Sequence, residues 1–406
     1  MMTGFGGCPL AWRGRYTAAR HVAHKATFRL GVKNNILFYC ETRHLRLPCL
    51  RGLLQKIKHS MKIFRGFGHP GIENHCALTI GNFDGVHRGH QAMLALLRSE
   101  AQRRGLPSCV MTFEPHPRDY FAQALQQPDM APARISTLRD KLDQLAQCQV
   151  DQTVVLPFNA ALASQAPQAF IDDVLLQGLG TKYLLVGDDF RFGNKRAGDY
   201  NMLVDAGRQQ GFDVARMNSY ESDGLRVSST AVRNALALGD MAGAAKLLGY
   251  PYAISGHVVH GRKLGRQLAE SQPGASDGFR TLNLRFDHWK PAASGIFVVL
   301  VHGLSATPLP GVANLGIRPS LDPNDVNGGR VLLETHCLQW PAELGGDGAY
   351  GKIIRVELLH KLHDELKYDS LDALTTGIAK DCADARAYFS TSAHAETRRQ
   401  TTRDRI

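Results

Sequence analysis

Two histidines three residues apart, His87 and His90, close a glycine-rich run: Leu78-Thr79-Ile80-Gly81-Asn82-Phe83-Asp84-Gly85-Val86-His87-Arg88-Gly89-His90. An imidazole is a compact N–H donor. A glycine turn between a strand and a helix adds backbone N–H groups and the positive end of the helix dipole, a combination that receives phosphate. The run therefore predicts a phosphate cradle. Gly81, Asn82, Phe83 and Gly85 form its backbone, and His87 and His90 are the side chains aimed at the anion. A tight turn with two surface histidines is the competing reading, but the full spacing G-x-F-D-G-V-H-x-G-H favours the cradle.

The elements that must hold these residues are legible from periodicity. Ala77 to Ile80 reads as a short apolar strand, and His90 to Arg104 as a helix with Met93, Leu94, Leu96 and Leu97 on its apolar side. Further strands are expected at Cys109–Phe113, Gln152–Leu156, Tyr183–Val186 and Asp213–Met217. Helices are expected between them at Thr137–Gln147, Pro167–Leu176 and Asp199–Gln210. Apolar strands alternating with helices predict a parallel sheet covered on both faces, with ligands at the carboxyl ends of the strands.

Polar clusters fall at those ends. Thr112-Phe113-Glu114-Pro115-His116-Pro117 follows the second strand, and Gly187-Asp188-Asp189-Phe190-Arg191-Phe192-Gly193 the fourth. Val227-Ser228-Ser229-Thr230-Ala231-Val232-Arg233 follows the fifth and opens a helix. Ser228 and Ser229 also suit helix caps, and Asp189 suits a turn. Their shared position beside the cradle favours a joint site containing His116, Asp189, Ser228, Ser229, Thr230 and Arg233. Two helices follow, Ser229–Leu238 and Met241–Leu248, and Gly249-Tyr250-Pro251 breaks the pattern.

Beyond that break the character changes. Short alternating stretches at Tyr252–Val259, Thr281–Phe286, Gly295–Val301, Gly311–Leu315, Arg330–Cys337 and Ile353–Leu359 predict an antiparallel barrel. Asp369–Phe389 reads as a terminal helix capped by Ser370, with Leu371, Leu374, Ile378, Cys382 and Ala385 on one face. Residues 391–406 are polar and expected to fray. The fold class is thus α/β, with a Rossmann-like parallel-sheet domain at 61–248, a small barrel with its C-terminal helix at 249–390, and a polar tail at 391–406.

The chain has 406 residues and a formal charge of +11. Residues 1–60 contain seven Arg and four Lys against the single acid Glu41, so ten of the eleven charges lie in this head. The body is nearly neutral and offers no electrostatic case for nucleic acid. Three readings of the head stand: an Arg-rich targeting segment, a basic arm for a polyanion, or a stretch upstream of a true start at Met61. The third fits best, because Met61-Lys62-Ile63-Phe64-Arg65 opens the patterned part; the head is expected to be disordered or loosely helical. No apolar run is long enough to span a bilayer, so no membrane is expected. The eight cysteines are irregularly spaced without a C-x-x-C pair. That pattern suits reduced thiols in a cytoplasmic protein rather than a zinc site or disulfide framework. Weak self-association stays open.

Over residues 61–390 these motifs, in order, resemble the bifunctional bacterial riboflavin kinase/FAD synthetase family. The first half is similar to its nucleotidyltransferase module. The second half carries Gly256-His257-Val258-Val259-His260-Gly261-Arg262, Thr281-Leu282-Asn283, Gly311-Val312-Ala313-Asn314-Leu315-Gly316-Ile317-Arg318-Pro319 and Glu334-Thr335-His336, similar to its kinase barrel. The resemblance implies two reactions: ATP phosphorylates riboflavin to FMN, and a second ATP adenylylates FMN to FAD, releasing pyrophosphate. Flavins are then substrate and product, and Mg²⁺ accompanies ATP. It implies phosphate contacts for His87, His90, Ser228, Ser229, Thr230, Arg233, Gly261 and Arg262. It places His116, Asp189 and Arg318 in loops by the flavin and nucleotide, makes Glu334 the general base, and assigns Thr281 and Asn283 to Mg²⁺. The chain departs from the family pattern at an insertion, Gln267–Gly278, and at Arg280, where the family has proline. Two alternatives follow: an FAD synthetase with an impaired kinase barrel, and a flavin-binding regulator whose basic head contacts RNA.

Overall fold

Every residue of the strand Ala77–Ile80 is buried, and so are the first five of Ser108–Glu114. Such strands need cover on both faces, and the sheet they build is parallel throughout. The protein is described here from a computed structural model covering residues 60–222, 224–260, 281–285, 290–318, 330–345 and 348–403. Of the expected loose head, residues 1–60, all but Ser60 lie outside the described residues, as does the 267–278 insertion.

Six strands form the first sheet: β1 (Lys62–Arg65), β2 (Ala77–Ile80), β3 (Ser108–Glu114), β4 (Gln152–Pro157), β5 (Tyr183–Gly187) and β6 (Asp213–Met217). Their spatial order is β1-β4-β3-β2-β5-β6. From β2 the chain steps outward through β3 to β4, then returns to the other flank of β2 for β5. The carboxyl end of β2 thus sits at the switch point, where a ligand crevice is expected. β1 was not expected as a strand, because only Phe64 of its four residues is buried. A two-strand hairpin, β7 (Glu221–Ser222) and β8 (Leu225–Arg226), follows β6.

The longer helices of this half are α1 (Arg88–Arg104), α2 (Pro117–Ala124), α3 (Leu138–Gln147), α4 (Tyr200–Gln210), α5 (Ser229–Ala237) and α6 (Met241–Leu248). α1 begins two residues before the expected start, because His87 serves as its N-cap. It buries Leu94, Leu97 and Ala101 at helical spacing, whereas Leu96 is 41% exposed and does not belong to the apolar face. The segment expected as a helix at 167–176 is a single α-turn that widens into a π-helix over Phe170–Gly178.

The second half is a closed antiparallel barrel of β9 (Ala253–Val259), β10 (Thr281–Arg285), β11 (Gly295–His302), β12 (Leu309–Arg318), β13 (Arg330–Cys337) and β14 (Ile353–His363), in the order β10-β13-β12-β11-β14-β9. Leu282, Leu284, Phe297, Val299, Ala313, Leu333 and Val356 fill its interior. The same apolar cluster takes in Val232 and Leu236 of α5 and Met241, Ala244 and Leu248 of α6. Residues 59–406 accordingly form one compact unit.

α7 (Leu371–Arg403) packs Cys382 and Ala385 on the outer face of the barrel, against Val298 and Val312. Ser370 caps it, accepting from Ala373 N–H. The helix continues through Arg403 rather than fraying after Phe389, because no glycine or proline interrupts that stretch. His363 Nε2 at the end of β14 lies 2.9 Å from Asp381 Oδ1 on α7. Burial pulls the His363 pKa down, but the bond to Asp381 outweighs it and the net shift is upward. The ion pair is therefore fully present below about pH 6.5, the ordinary histidine value, and is lost as pH rises through the raised value. Asp381→Asn should lower Tm by up to about 3 °C at pH 5.5. It should match the parent at pH 8.5, which paired thermal melts would read.

Candidate active site

The cradle is a strained turn. Phe83, Gly85 and Val86 have φ of 49°, 80° and 32°, all left-handed. A β-branched valine seldom adopts that region, and such strain concentrates where a loop must present a ligand surface. Gly85 admits no substitute: a Cβ there would also lie 2.7 Å from the Ile135 side chain.

Strain of this kind needs bracing, and the brace is Asp84, a residue to which the sequence reading assigned no role. Its carboxylate is 1% exposed and accepts from the backbone N–H of Ile135 and of Ser136 at 3.1–3.2 Å and from Arg233 Nη2 at 2.9 Å. Burial alone would raise its pKa, but the Arg134 and Arg233 charges and these bonds hold it below the usual carboxylate value. The loop is tied further where Ser136 Oγ accepts from Gly85 N–H and Tyr250 Oη donates to Gly85 O. Asn82 is exposed, and its carbonyl accepts from Thr112 Oγ1 at the end of β3.

His87 and His90 stack with ring centroids 3.7 Å apart, and His87 Nδ1 accepts from His90 N–H. Burial lowers His87 to about 4 despite the nearby Asp84. Burial, reinforced by the His87, Lys141 and Arg233 charges, holds His90 well below the ordinary value. At neutral pH both rings are uncharged N–H donors. His90 Nδ1 is sealed from solvent and has no hydrogen-bond partner among the described residues.

The third motif arrives on the same spot. Ser229 Oγ donates to Asp84 O, and a Cβ on Gly89 would lie 3.3 Å from Val227 O, so the two segments touch. Ser228 caps α5, accepting from Ala231 N–H, so it does serve as a cap. Thr230 is exposed on the first turn of α5. Arg233 directs Nε to Ala133 O at 2.6 Å and Nη2 to Asp84. His116 is buried and caps α2, accepting from Arg118 N–H; burial, with Arg134 adding to it, lowers it to about 3. Asp189 is exposed on the loop after β5. Its neighbour Asp188 accepts from Ser219 Oγ at 2.7 Å.

Beneath the loop sits a buried charge cluster that periodicity could not show. Arg134 is 3% exposed; it donates to Asp119 at 2.8 Å and lies 3.9 Å from Asp84 and 3.8 Å from Glu114. Its backbone pairs with the barrel, donating to Lys290 O and accepting from Ala292 N–H. Lys141 of α3 is fully buried, its Nζ 4.0 Å from Glu114 Oε2. One signal was available: Lys141 stands on the buried face of α3, four residues before Leu145.

A second constellation lies on the barrel wall. Asn283 of β10 pairs with Glu334 of β13, and Glu334 pairs with Asn314 of β12. Leu282, Leu284, Leu333, Ala313 and Leu315 alternate with them into the barrel core, so the row Asn283–Glu334–Asn314 points outward. Thr281 shares that face two residues from Asn283 and is exposed, whereas Asn283 is buried. Asn283 Oδ1 and Asn314 Oδ1 have no hydrogen-bond partner among the described residues. Asn314 was not singled out, although it stands within a motif that the sequence displayed. Arg318 ends β12 opposite Arg330. Gly261 and Arg262 lie outside the described residues.

Among the described residues no group of three or more His, Cys, Asp or Glu side chains is arranged to hold a metal, and no helix is long and apolar enough to cross a membrane. The five described cysteines, Cys76, Cys109, Cys148, Cys337 and Cys382, are free thiols.

Comparison with known proteins matches the two halves of the chain separately. The family model for FAD synthetase matches residues 69–231, and that for riboflavin kinase matches residues 248–389. A bifunctional riboflavin kinase/FMN adenylyltransferase of Escherichia coli K12 is 44% identical over 331 residues, covering 81% of this chain and 98% of the relative. Its namesake from Pseudomonas fluorescens is 42% identical over 82% of this chain and the whole relative. That from Haemophilus influenzae is 40% identical over 81% and 99%. A crystal structure titled as a macrolide-efflux protein from Streptococcus pneumoniae superposes with a TM-score of 0.60 at 24% identity, covering 80% of this chain and 99% of that one, a likeness of fold alone. With relatives above 40% identity matched over nearly their full length, and both halves matched by their own models, the chain belongs to the bifunctional riboflavin kinase/FMN adenylyltransferase family.

Proposed function

We propose that the chain converts riboflavin to FMN on the barrel and FMN to FAD at the carboxyl end of the parallel sheet. The observation that carries this reading is the pairing of two separate polar sites: the strained, Asp84-braced loop with two neutral histidines, and the outward Asn283–Glu334–Asn314 row.

In adenylyl transfer an FMN phosphate oxygen attacks the α-phosphorus of ATP, and the bond to the departing pyrophosphate breaks. The nucleophile is already an anion, so positioning and charge stabilisation supply the catalysis. His87 and His90 donate to the phosphate oxygens on which charge builds, and the backbone of Gly81–Gly85 seats them. Ser228, Ser229 and Thr230 close the opposite rim at the first turn of α5. Arg233 fixes Asp84 and thereby the loop. His116 and Asp189 flank the flavin and nucleotide.

In the kinase step the riboflavin hydroxyl oxygen attacks the γ-phosphorus, ADP leaves, and Glu334 accepts the hydroxyl proton. Gly261, Arg262 and Arg318 contact the nucleotide. The buried, unpartnered Asn283 Oδ1 is a hard oxygen donor of the kind Mg²⁺ takes. Asn283 and the Thr281 hydroxyl would hold that ion, which neutralises phosphate charge when bound. The division proposed is an adenylyltransferase domain at 61–248 and a kinase domain at 249–390, working in the cytoplasm, where free thiols persist.

Feeding the purified chain riboflavin with Mg·ATP tests the reading. FMN and FAD should both appear, and FAD should also form from supplied FMN. FAD formed only from supplied FMN would establish the second reading, a synthetase with an impaired barrel. That reading is motivated by the 267–278 insertion beside Thr281.

A further inference from the structure

Six charged side chains gather beneath the loop at the carboxyl ends of β2 and β3: Asp84, Glu114 and Asp119, with Arg134, Lys141 and Arg233. Two ion pairs are closed, Arg233–Asp84 at 2.9 Å and Arg134–Asp119 at 2.8 Å. The third is open. Lys141 Nζ stands 4.0 Å from Glu114 Oε2, and neither atom has a hydrogen-bond partner among the described residues. Burying an ammonium without a bonded anion is costly. An apolar residue at 141, in line with Leu145, would continue the buried face of α3 without that cost. The neighbouring histidines do not supply charge, since His87, His90 and His116 are all depressed far below neutrality. Lys141 is thus the one cation of the six without a hydrogen-bonded carboxylate, in a site that must accept two polyanions.

We propose that Lys141 is a phosphate-binding residue of the adenylyl-transfer site, its ammonium taking a phosphoryl oxygen of the bound substrates as its missing partner. This rests on the adenylyl-transfer reading above. The groups that face the ammonium are Glu114 of β3, Asp84 of the loop, Asp119 of α2, Arg134 of the following segment, His90 of α1, and His116. On α3 itself, Asp140 is engaged by Ser255 N–H of the barrel and the Thr137 hydroxyl. Burial, with the Arg134 charge beside it, lowers Lys141 to about 8, and the three carboxylates oppose that shift only in part. The ammonium is therefore charged at neutral pH and loses its proton within an accessible range.

Two sets of measurements on the full chain test this, with kinase activity as the internal control for folding. In the wild type, kcat/KM for FAD formation from FMN and Mg·ATP should fall above about pH 8, where substrate phosphates, with pKa near 6, no longer titrate. FMN formation should lack that limb. Lys141→Met should lower FAD formation by about 10²-fold or more while FMN formation persists. Lys141→Arg, whose charge survives at high pH, should retain more activity than Lys141→Met and move the alkaline limb upward. If Lys141 served only to neutralise Glu114, the double variant Lys141→Met/Glu114→Gln would recover the activity that Lys141→Met loses; on the proposal it stays as low. Recovery in the double variant, a Lys141→Met enzyme within about threefold of wild type, or a flat wild-type profile to pH 9.5 would overturn the inference. A wild type that forms no FAD at any pH would instead overturn the adenylyl-transfer reading itself.

Discussion

A His87→Ala/His90→Ala double variant should form FMN from riboflavin at the wild-type rate while its FAD formation falls by at least about 10³-fold. Removing one preorganised donor from a charge-stabilising site typically costs about 10²–10³-fold, and two donors here act on one leaving group. The loss should appear in kcat more than in the KM for Mg·ATP. Both rings are neutral at working pH, so they contribute little ground-state attraction and most where charge develops. The fold should survive. Asp84, Arg233, Ser136 and Tyr250 brace the loop independently of either ring. Loss of the His87 cap should cost α1 only about 1 kcal/mol. Separating riboflavin, FMN and FAD chromatographically after a timed reaction reads both steps at once. If the double variant remained folded and lost both activities together, the assignment of two sites would be wrong.

The parts of the fold that were legible are those with a local cause. β2, β3, β4 and β5 announce themselves because strands buried on both faces are largely apolar runs, and the edge strand β6 follows in the same alternation with helices although none of its five residues is buried. The turn after β2 was legible because its glycines sit where the backbone must reverse, as the positive φ of Gly85 shows. Elements obscured by proline or glycine were not. α2 starts at Pro117 within a run that reads as a loop. β12 extends to Leu309–Arg318 because Pro310 needs only its carbonyl, which accepts from Leu338 N–H, and Gly316 lies within the paired run.

In the site, what stayed hidden is what depends on distant partners. Asp84 meets Ser136 and Arg233 across 52 and 149 residues, and nothing in the periodicity near Asp84 marks that meeting. Arg134 was invisible for the same reason, since its backbone is paired to the barrel at Lys290 and Ala292. This last contact has a structural consequence. The segment that holds Asp84 is also hydrogen-bonded to the stretch leading into β11, and α5 and α6 share the barrel core. The loop's brace therefore depends on the barrel being folded, although the two polar sites lie on different elements.

Glu334→Gln gives the complementary result: FMN formation should fall by about 10²–10⁴-fold, the usual contribution of a positioned general base, while FAD formation from supplied FMN continues. Glutamine preserves the volume of the side chain and the β13 pairing to β10 and β12, so Asn283 and Asn314 keep their neighbour across the strands. What it removes is the capacity to take the hydroxyl proton. The loss should accordingly fall on kcat, with the KM for riboflavin little changed, because an interaction made only in the transition state does not alter ground-state binding. The outward placement of the row makes this separable from stability. Leu333 and Thr335, the strand neighbours of Glu334, carry the barrel packing on the opposite face, so the variant should melt within a few degrees of the parent. A Gln variant that kept kcat for FMN formation within threefold would remove Glu334 from the reaction. It would leave the barrel row as a nucleotide-binding surface whose base lies elsewhere.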